Sequence, residues 1–370
     1  MIIYLKKIKI INKINIIYKS YLTKMRYQQI VSYYEKKENI KVSKTLKNIE
    51  KVFYLGGDEH QDKSGFLQGL SEVFDVKYFT KKDGSYGAYK RSQLCSKLNS
   101  QRLEELFEIN AKDGFIPDML LMQTWAWRID VNVLKRIKKQ YGCIIVNIGM
   151  DDRHSYTDHG NWDNGTYGLI PALDLVLTCA PECVDWFKKE GVDALYFPEA
   201  SHPDFFYPMP EVEKIYDVGF IGAKYGVREE IVNALVKAGI NVQCYGNGWE
   251  SGRLDLDKTN LFFNQCEIVL GVGTIGHCSD FYALKLRDFD AAMSGAIYLT
   301  HDNQDLHDLF DKDKEMFVAV DIKNFISTAK EILDFSNDEK NSIRKKVREK
   351  ALNKHNYKIK FDNLKRHLNK

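Results

Sequence analysis

Short, mostly apolar runs recur along this chain, and each closes on glycine or cysteine: EKVFYLG at 50–56, CIIVNIG at 143–149, LDLVLTC at 173–179 and CEIVLGVG at 266–273. Runs of this length read as strands buried on both faces. A sheet can be covered on both faces when crossover helices connect parallel strands. The segments between them carry apolar residues at helical spacing. VNVLKRIKKQYG at 131–142 closes on Gly142, and PECVDWFKKEG at 181–191 and VREEIVNALVKAG at 227–239 follow the same plan. Strand–helix alternation of this kind specifies an α/β fold with parallel sheets. The pattern also predicts strands at 76–79, 118–123, 216–222, 241–246 and 296–300, and helices at 65–74, 94–109, 284–294, 304–310 and 322–335.

The alternation breaks once. SHPDFFYPMPEVEK, residues 201–214, holds Pro203, Pro208 and Pro210, three of the seven prolines, which is linker chemistry. At 370 residues the chain is long for one core and suits two. The expected division is an N-terminal extension at 1–45, a first domain at 46–205, a linker at 206–214, a second domain at 215–340 and a basic helical tail at 341–370.

Bulk chemistry narrows the function. A net charge of +3 gives no electrostatic case for nucleic acid. The seven cysteines are scattered without a CxxC, which favours a reducing cytosol over a disulfide framework. The first nineteen residues, MIIYLKKIKIINKINIIYK, are apolar and basic, and are too interrupted by lysine to span a bilayer. They read either as a surface-binding amphipathic segment or, preferred, as a loosely structured extension with Met25 as the functional start. The expected location is the cytosol, with weak contact to the inner face of the membrane through this extension as the variant.

Ligands of open parallel sheets bind beyond the carboxyl ends of the strands. In the second half, Gly222-Ala223-Lys224-Tyr225-Gly226 lies there, followed by Arg228 in a first helical turn. Glycines let the backbone approach a phosphate, and a helix start favours anions; an ordinary strand-to-helix turn explains the same residues. Tyr245-Gly246-Asn247-Gly248-Trp249 offers an aromatic beside two glycines, or a plain Asn-Gly turn. Gly271–Asp280 precedes Lys285, Arg287 and Asp290. Arg287 and Asp290, three apart, form either a ligand-binding face or an exposed ion pair. In the first half, Gly57 and Asp58 follow one strand and Trp125 another. Asp151, Asp152 and His154 follow CIIVNIG and can bind or deprotonate a hydroxyl, or stand as solvated loop charge.

Four segments resemble the glycosyltransferase group 1 superfamily, and within it the CgeB-like, spore-maturation-type branch. Asp217-Val-Gly-Phe-Ile-Gly222 with Arg228 resembles the first strand and helix of its C-terminal domain, and Gln243-Cys-Tyr-Gly-Asn-Gly-Trp249 its VYGxGW turn. Leu286-Arg-Asp-Phe-Asp-Ala-Ala-Met-Ser-Gly295 resembles RxFEAxAxG, and His355-Asn-Tyr357 with Lys360 the terminal HTYxxR. The chain departs from the pattern at Asp290, where the family has Glu, at Tyr282, where retaining relatives often carry a second Glu, and at Lys360, where it has Arg.

The resemblance implies an α/β fold of the GT-B kind: two Rossmann-like domains with parallel sheets facing a cleft, and a terminal helix that crosses back to the first domain. It implies a hexosyltransferase-type enzyme, retaining and metal-independent, with no obligatory cofactor and a nucleotide sugar as donor substrate. Gly222, Lys224, Arg228, Gly246, Trp249 and Asp290 would bind the donor. Arg287, Lys285 and Asp152 would be catalytic, and Gly57, Asp58, Trp125, Asp151 and His154 would lie on the side of an unidentified acceptor. A nucleotide-sugar epimerase and a non-catalytic envelope or coat protein of the same fold are the alternatives.

Overall fold

The computed structural model describes the backbone of residues 2–90 and 92–369, and the side chains of these from residue 14 onward. Eleven strands form two wholly parallel sheets. The first contains β1 (Lys51–Leu55), β2 (Asp75–Tyr78), β3 (Met119–Met122), β4 (Ile144–Gly149), β5 (Leu175–Thr178) and β6 (Asp193–Tyr196), in the order β2-β1-β3-β4-β5-β6. The second contains β7 (Tyr216–Ile221), β8 (Val242–Tyr245), β9 (Cys266–Leu270), β10 (Ile297–His301) and β11 (Phe317–Ala319), in the order β11-β10-β9-β7-β8. The apolar runs sit in these sheets as expected: β3, β4 and β5 are buried at every position. The strand order reverses beside β1 in the first sheet and beside β7 in the second. Each reversal opens a crevice at the strand carboxyl ends.

The chain divides into two compact units, neither continuous in sequence. One comprises residues 30–199 together with the C-terminal helix Tyr357–Leu368; the other comprises residues 200–356 together with the first helix up to Gln29. The change at 356–357 falls in the His355-Asn356-Tyr357 break between helices Asn337–Lys354 and Tyr357–Leu368. In the first-named unit, Phe66 packs against Tyr357 and Phe361 with ring centroids 5.3 and 5.2 Å away.

The N-terminal segment differs from the expected loose extension. It is a single helix, α1 (Ile2–Lys36). Its later turns are built into the fold: Tyr34 is 1% exposed, stacks on Trp186 at 5.3 Å and hydrogen-bonds Tyr156 at 2.8 Å. The run of lysines looked disruptive, but a helix starting in apolar residues and ending in a buried aromatic cluster gains enough from packing. The helix expected at 65–74 is also different. It begins at Glu59, passes through a π-turn at Asp62–Phe66 in which Gly65 adopts φ +117°, and ends at Ser71.

Candidate functional site

The second sheet's reversal point holds two guanidiniums. The carbon that a side chain at Gly222 would carry lies 3.0 Å from Arg287 Nη1 and 3.2 Å from Arg228 Nη1, so a side chain there would crowd the pair. Arg228 is 4% exposed and donates to the carbonyls of Ala223 at 2.8 Å and Val272 at 3.3 Å. Its guanidinium stacks over the Tyr225 ring at 3.9 Å. Arg287 donates to the Ile221 carbonyl and lies 4.7 Å over the Phe220 ring. The Nε atoms of both, and Nη2 of Arg287, are buried with no hydrogen-bond partner among the described residues.

No carboxylate forms an ion pair with either arginine among the described residues. Asp288 feels the charge of Arg287, but it accepts from the Tyr298 hydroxyl and, at 2.7 Å, from the Lys285 N–H. Burial, and then the like charge of Arg287, lower Arg228 to about 10, so it stays protonated at neutral pH. Buried donors short of partners and buried charge without counter-charge are both costly in isolation. An anion relieves both.

The neighbouring loops close around Gly222. Gly246 adopts φ +135°, and a side chain there would meet the Gly222 carbonyl oxygen at 2.2 Å. Trp249 donates from Nε1 to that same carbonyl at 2.8 Å, and Lys224 Nζ sits 5.1 Å over its ring and 3.1 Å from Glu229. The indole therefore buttresses the strand end with its polar edge already engaged. The structure brings Gly222, Lys224, Arg228, Gly246, Trp249 and Arg287 together.

Arg287 and Asp290 are not an exposed ion pair. Lys285 caps helix Leu286–Met293, Arg287 turns toward Ile221, and Asp290, 6% exposed, accepts the Ser201 hydroxyl at 2.7 Å. Three polar residues that sequence reading left out or set aside also belong here. His301, at the end of β10, is pushed down to about 4 by burial and by Arg228, so it is neutral, and its Nδ1 lacks a partner among the described residues. Thr274 Oγ1 is likewise buried and without a partner among the described residues. His277 lies 4.8 Å from the Tyr225 ring and is held below the ordinary histidine value, chiefly by burial. The available signal for His301 was a polar residue closing the apolar run AIYLTH.

The first sheet's strand ends have the opposite character. Asp62, 1% exposed, accepts hydroxyls from Tyr54 at 3.1 Å and Tyr86 at 2.8 Å, and burial pushes it up to about 6. Asp58 pairs with Lys90 at 3.2 Å, and Gly57 packs against the Lys90 side chain. Asp152 is 1% exposed rather than solvated. Thr166 donates to its Oδ1 at 2.7 Å, its Oδ2 has no partner among the described residues, and burial pushes it up to about 6. Asp151 and His154 flank it on a partly exposed turn, which the Arg153–Glu182 bridge at 2.7 Å holds in place. Trp125 and Trp127 do not form a bare wall: the Arg128 guanidinium lies 4.7 Å from each ring. On helix Tyr357–Leu368, burial lowers Lys360 to about 8.

Residues 228–366 match the family described as glycosyl transferase-like. A search of curated proteins found no match. Among solved structures, the Anabaena HepE protein in complex with UDP-glucose superposes with a TM-score of 0.61 at 8% identity, covering 86% of this chain and 99% of that one. The catalytic domain of starch synthase IV from Arabidopsis thaliana, bound to ADP and acarbose, gives 0.60 at 11% identity, covering 88% and 100%. Sucrose-phosphate synthase from Thermosynechococcus elongatus gives 0.58 at 11% identity, covering 86% and 99%. The fold is GT-B, with two Rossmann-like units, and residues 228–366 match the glycosyl transferase-like family.

Proposed function

We propose that this chain is a glycosyltransferase that takes a sugar from a nucleotide-sugar donor bound at the carboxyl ends of β7, β9 and β10. The observation that carries the reading is the Arg228–Arg287 pair above Gly222, cationic and short of acids. The donor diphosphate would satisfy it, with Arg287 turning from the Ile221 carbonyl toward the phosphate. As the bond from the anomeric carbon to the diphosphate breaks, negative charge grows on the departing oxygen. Guanidiniums fixed at that point stabilise the transition state more than the ground state. Lys224 and Lys285 add charge at the rim, and Asp290 takes a ribose hydroxyl. Because the protein supplies this charge, we propose transfer without an obligatory metal; turnover that survives chelation supports this, and its loss refutes it.

The acceptor side we assign to the first-named unit, through Asp151 and His154 on the β4 turn, Gly57 and Asp58 after β1, and Trp125 after β3. Asp152 is buried beneath this turn, which suits it to positioning the turn and tuning its charge. Membership of the CgeB-like branch and retention of anomeric configuration rest on the sequence resemblance. Titration calorimetry with UDP and ADP tests the donor site. Wild-type protein should bind one of them, and Arg228→Ala should weaken that binding roughly 10- to 100-fold, the scale of a charge-assisted hydrogen bond. Unchanged affinity in a folded variant sinks the assignment. Donor hydrolysis assayed with and without candidate acceptors separates transfer from epimerisation.

A further inference from the structure

Helix α1 has three unlike sides within residues 14–29. One is fixed to the 275–283 loop. Ser20 is buried and accepts the Ser279 N–H at 2.9 Å, Lys24 pairs with Asp280 at 2.5 Å, and the Tyr27 ring lies 5.1 Å from Phe281. A second side, with Asn15, Ile16 and Lys19, borders a cleft of about 710 Å³ shared with Tyr225 and Glu229. The remaining face is open. Ile14, Ile17, Tyr18 and Tyr21 are 58–63% exposed and Met25 is 38% exposed. Their spacing, three, one, three and four, makes one continuous stripe along a helix. An apolar stripe held open by a helix whose opposite face is anchored marks an interaction surface.

The charge around it selects the partner. Residues 1–34 carry Lys6, Lys7, Lys9, Lys13, Lys19, Lys24 and Arg26 and no acidic residue. Lys24 is paired with Asp280, and the other six cations, with no acid in the segment, oppose pairing with a second copy of the same helix. They fit an anionic surface, and an isoleucine–tyrosine stripe fits the boundary between headgroups and acyl chains. Among the described residues no helix is long and apolar enough to cross a membrane.

We propose that the open face of α1 docks the protein in the plane of an anionic lipid bilayer, with Ile14, Ile17, Tyr18, Tyr21 and Met25 entering the interface and the basic charge of the segment drawing it to the headgroups. The inference is independent of the donor site, which calorimetry tests in the absence of lipid.

Co-sedimentation of the full chain with phosphatidylcholine vesicles, with and without phosphatidylglycerol, decides it. Binding should appear only with phosphatidylglycerol and weaken as salt rises. The double variant Ile17→Asn/Tyr21→Asn should bind at least about tenfold more weakly while keeping its urea midpoint, since both side chains are exposed. Four outcomes overturn the proposal. One is absence of binding to phosphatidylglycerol vesicles. Another is equal binding to both vesicle types. The third is a double variant that binds as the wild type does, which shows that charge alone is responsible. Dimerisation of the wild type without vesicle binding likewise overturns it, in favour of a second copy on the stripe.

Discussion

The two sheets reverse their strand order in the same way, yet their crevices are built from opposite charges. Beside β7 sit Arg228, buried, and Arg287, half-buried, cations with no acid paired to them among the described residues. At the carboxyl ends of the first sheet sit Asp62 and Asp152, buried acids pushed up to about 6, with hydroxyl rather than cationic partners. The same backbone plan thus yields one place suited to an anion and another suited to holding protons near neutrality. In a Rossmann-like unit, the loops rather than the strands decide what is bound.

The largest effect should come from the cationic crevice. Arg287→Ala should lower turnover by about 10²- to 10³-fold, with a smaller change in donor affinity, the scale for removing one donor to a developing oxyanion. Steady-state kinetics beside calorimetry reads this. Equal losses in both would make Arg287 a ground-state binder and remove the catalytic half of the contrast.

Next is the acidic crevice. Burial raises Asp62 from 3.8 to about 6. The folded state therefore keeps a proton that the unfolded chain releases first. The resulting stability is complete below about pH 4 and is lost as pH rises through about 6, amounting to about 3 kcal/mol at most. Urea midpoints measured across this window should show Asp62→Asn losing that slope. A slope that persists unchanged in the variant would place the titrating group elsewhere.

Asp290→Ala sharpens the boundary between the two characters, because it is the one proposed donor-side acid that faces a ligand. It should weaken diphosphate-nucleotide binding by about 1.5–3 kcal/mol. Unchanged affinity would leave Asp290 a structural residue that accepts the Ser201 hydroxyl. The smallest effect belongs to Trp249→Phe, which keeps a ring but removes the hydrogen bond to the Gly222 carbonyl. About 1 kcal/mol of stability should go, with donor affinity falling less than about threefold. A larger loss of affinity than at Asp290 would show that the indole touches the nucleotide.

Much of this was legible in the sequence because buried parallel strands write themselves as apolar runs: CIIVNIG and LDLVLTC contain β4 and β5 to within two residues. The glycine loops at Gly222 and Gly246 were legible for the same local reason. What sequence hid was long-range. The partner that holds Asp62 with Tyr54 is Tyr86, 24 residues away. Tyr34 shows the same limit: nothing near it in sequence announces Tyr156 or Trp186. The ring faces of Trp125 and Trp127 are covered by Arg128, a contact their spacing does not announce.

The discontinuity at residues 199 and 356 has a consequence for biosynthesis. A nascent chain that has reached Asn356 has supplied all of the first six-stranded sheet, but not the helix whose Tyr357 and Phe361 pack on Phe66. The helix Ile2–Lys36, made before either sheet, waits for the 275–283 loop that seats its Ser20 and Tyr27. Emergence from the ribosome therefore cannot close the two units one after the other in sequence order. The unit whose sheet is made earlier is sealed by residues translated after the other unit's sheet, and until then its Phe66 face stays uncovered.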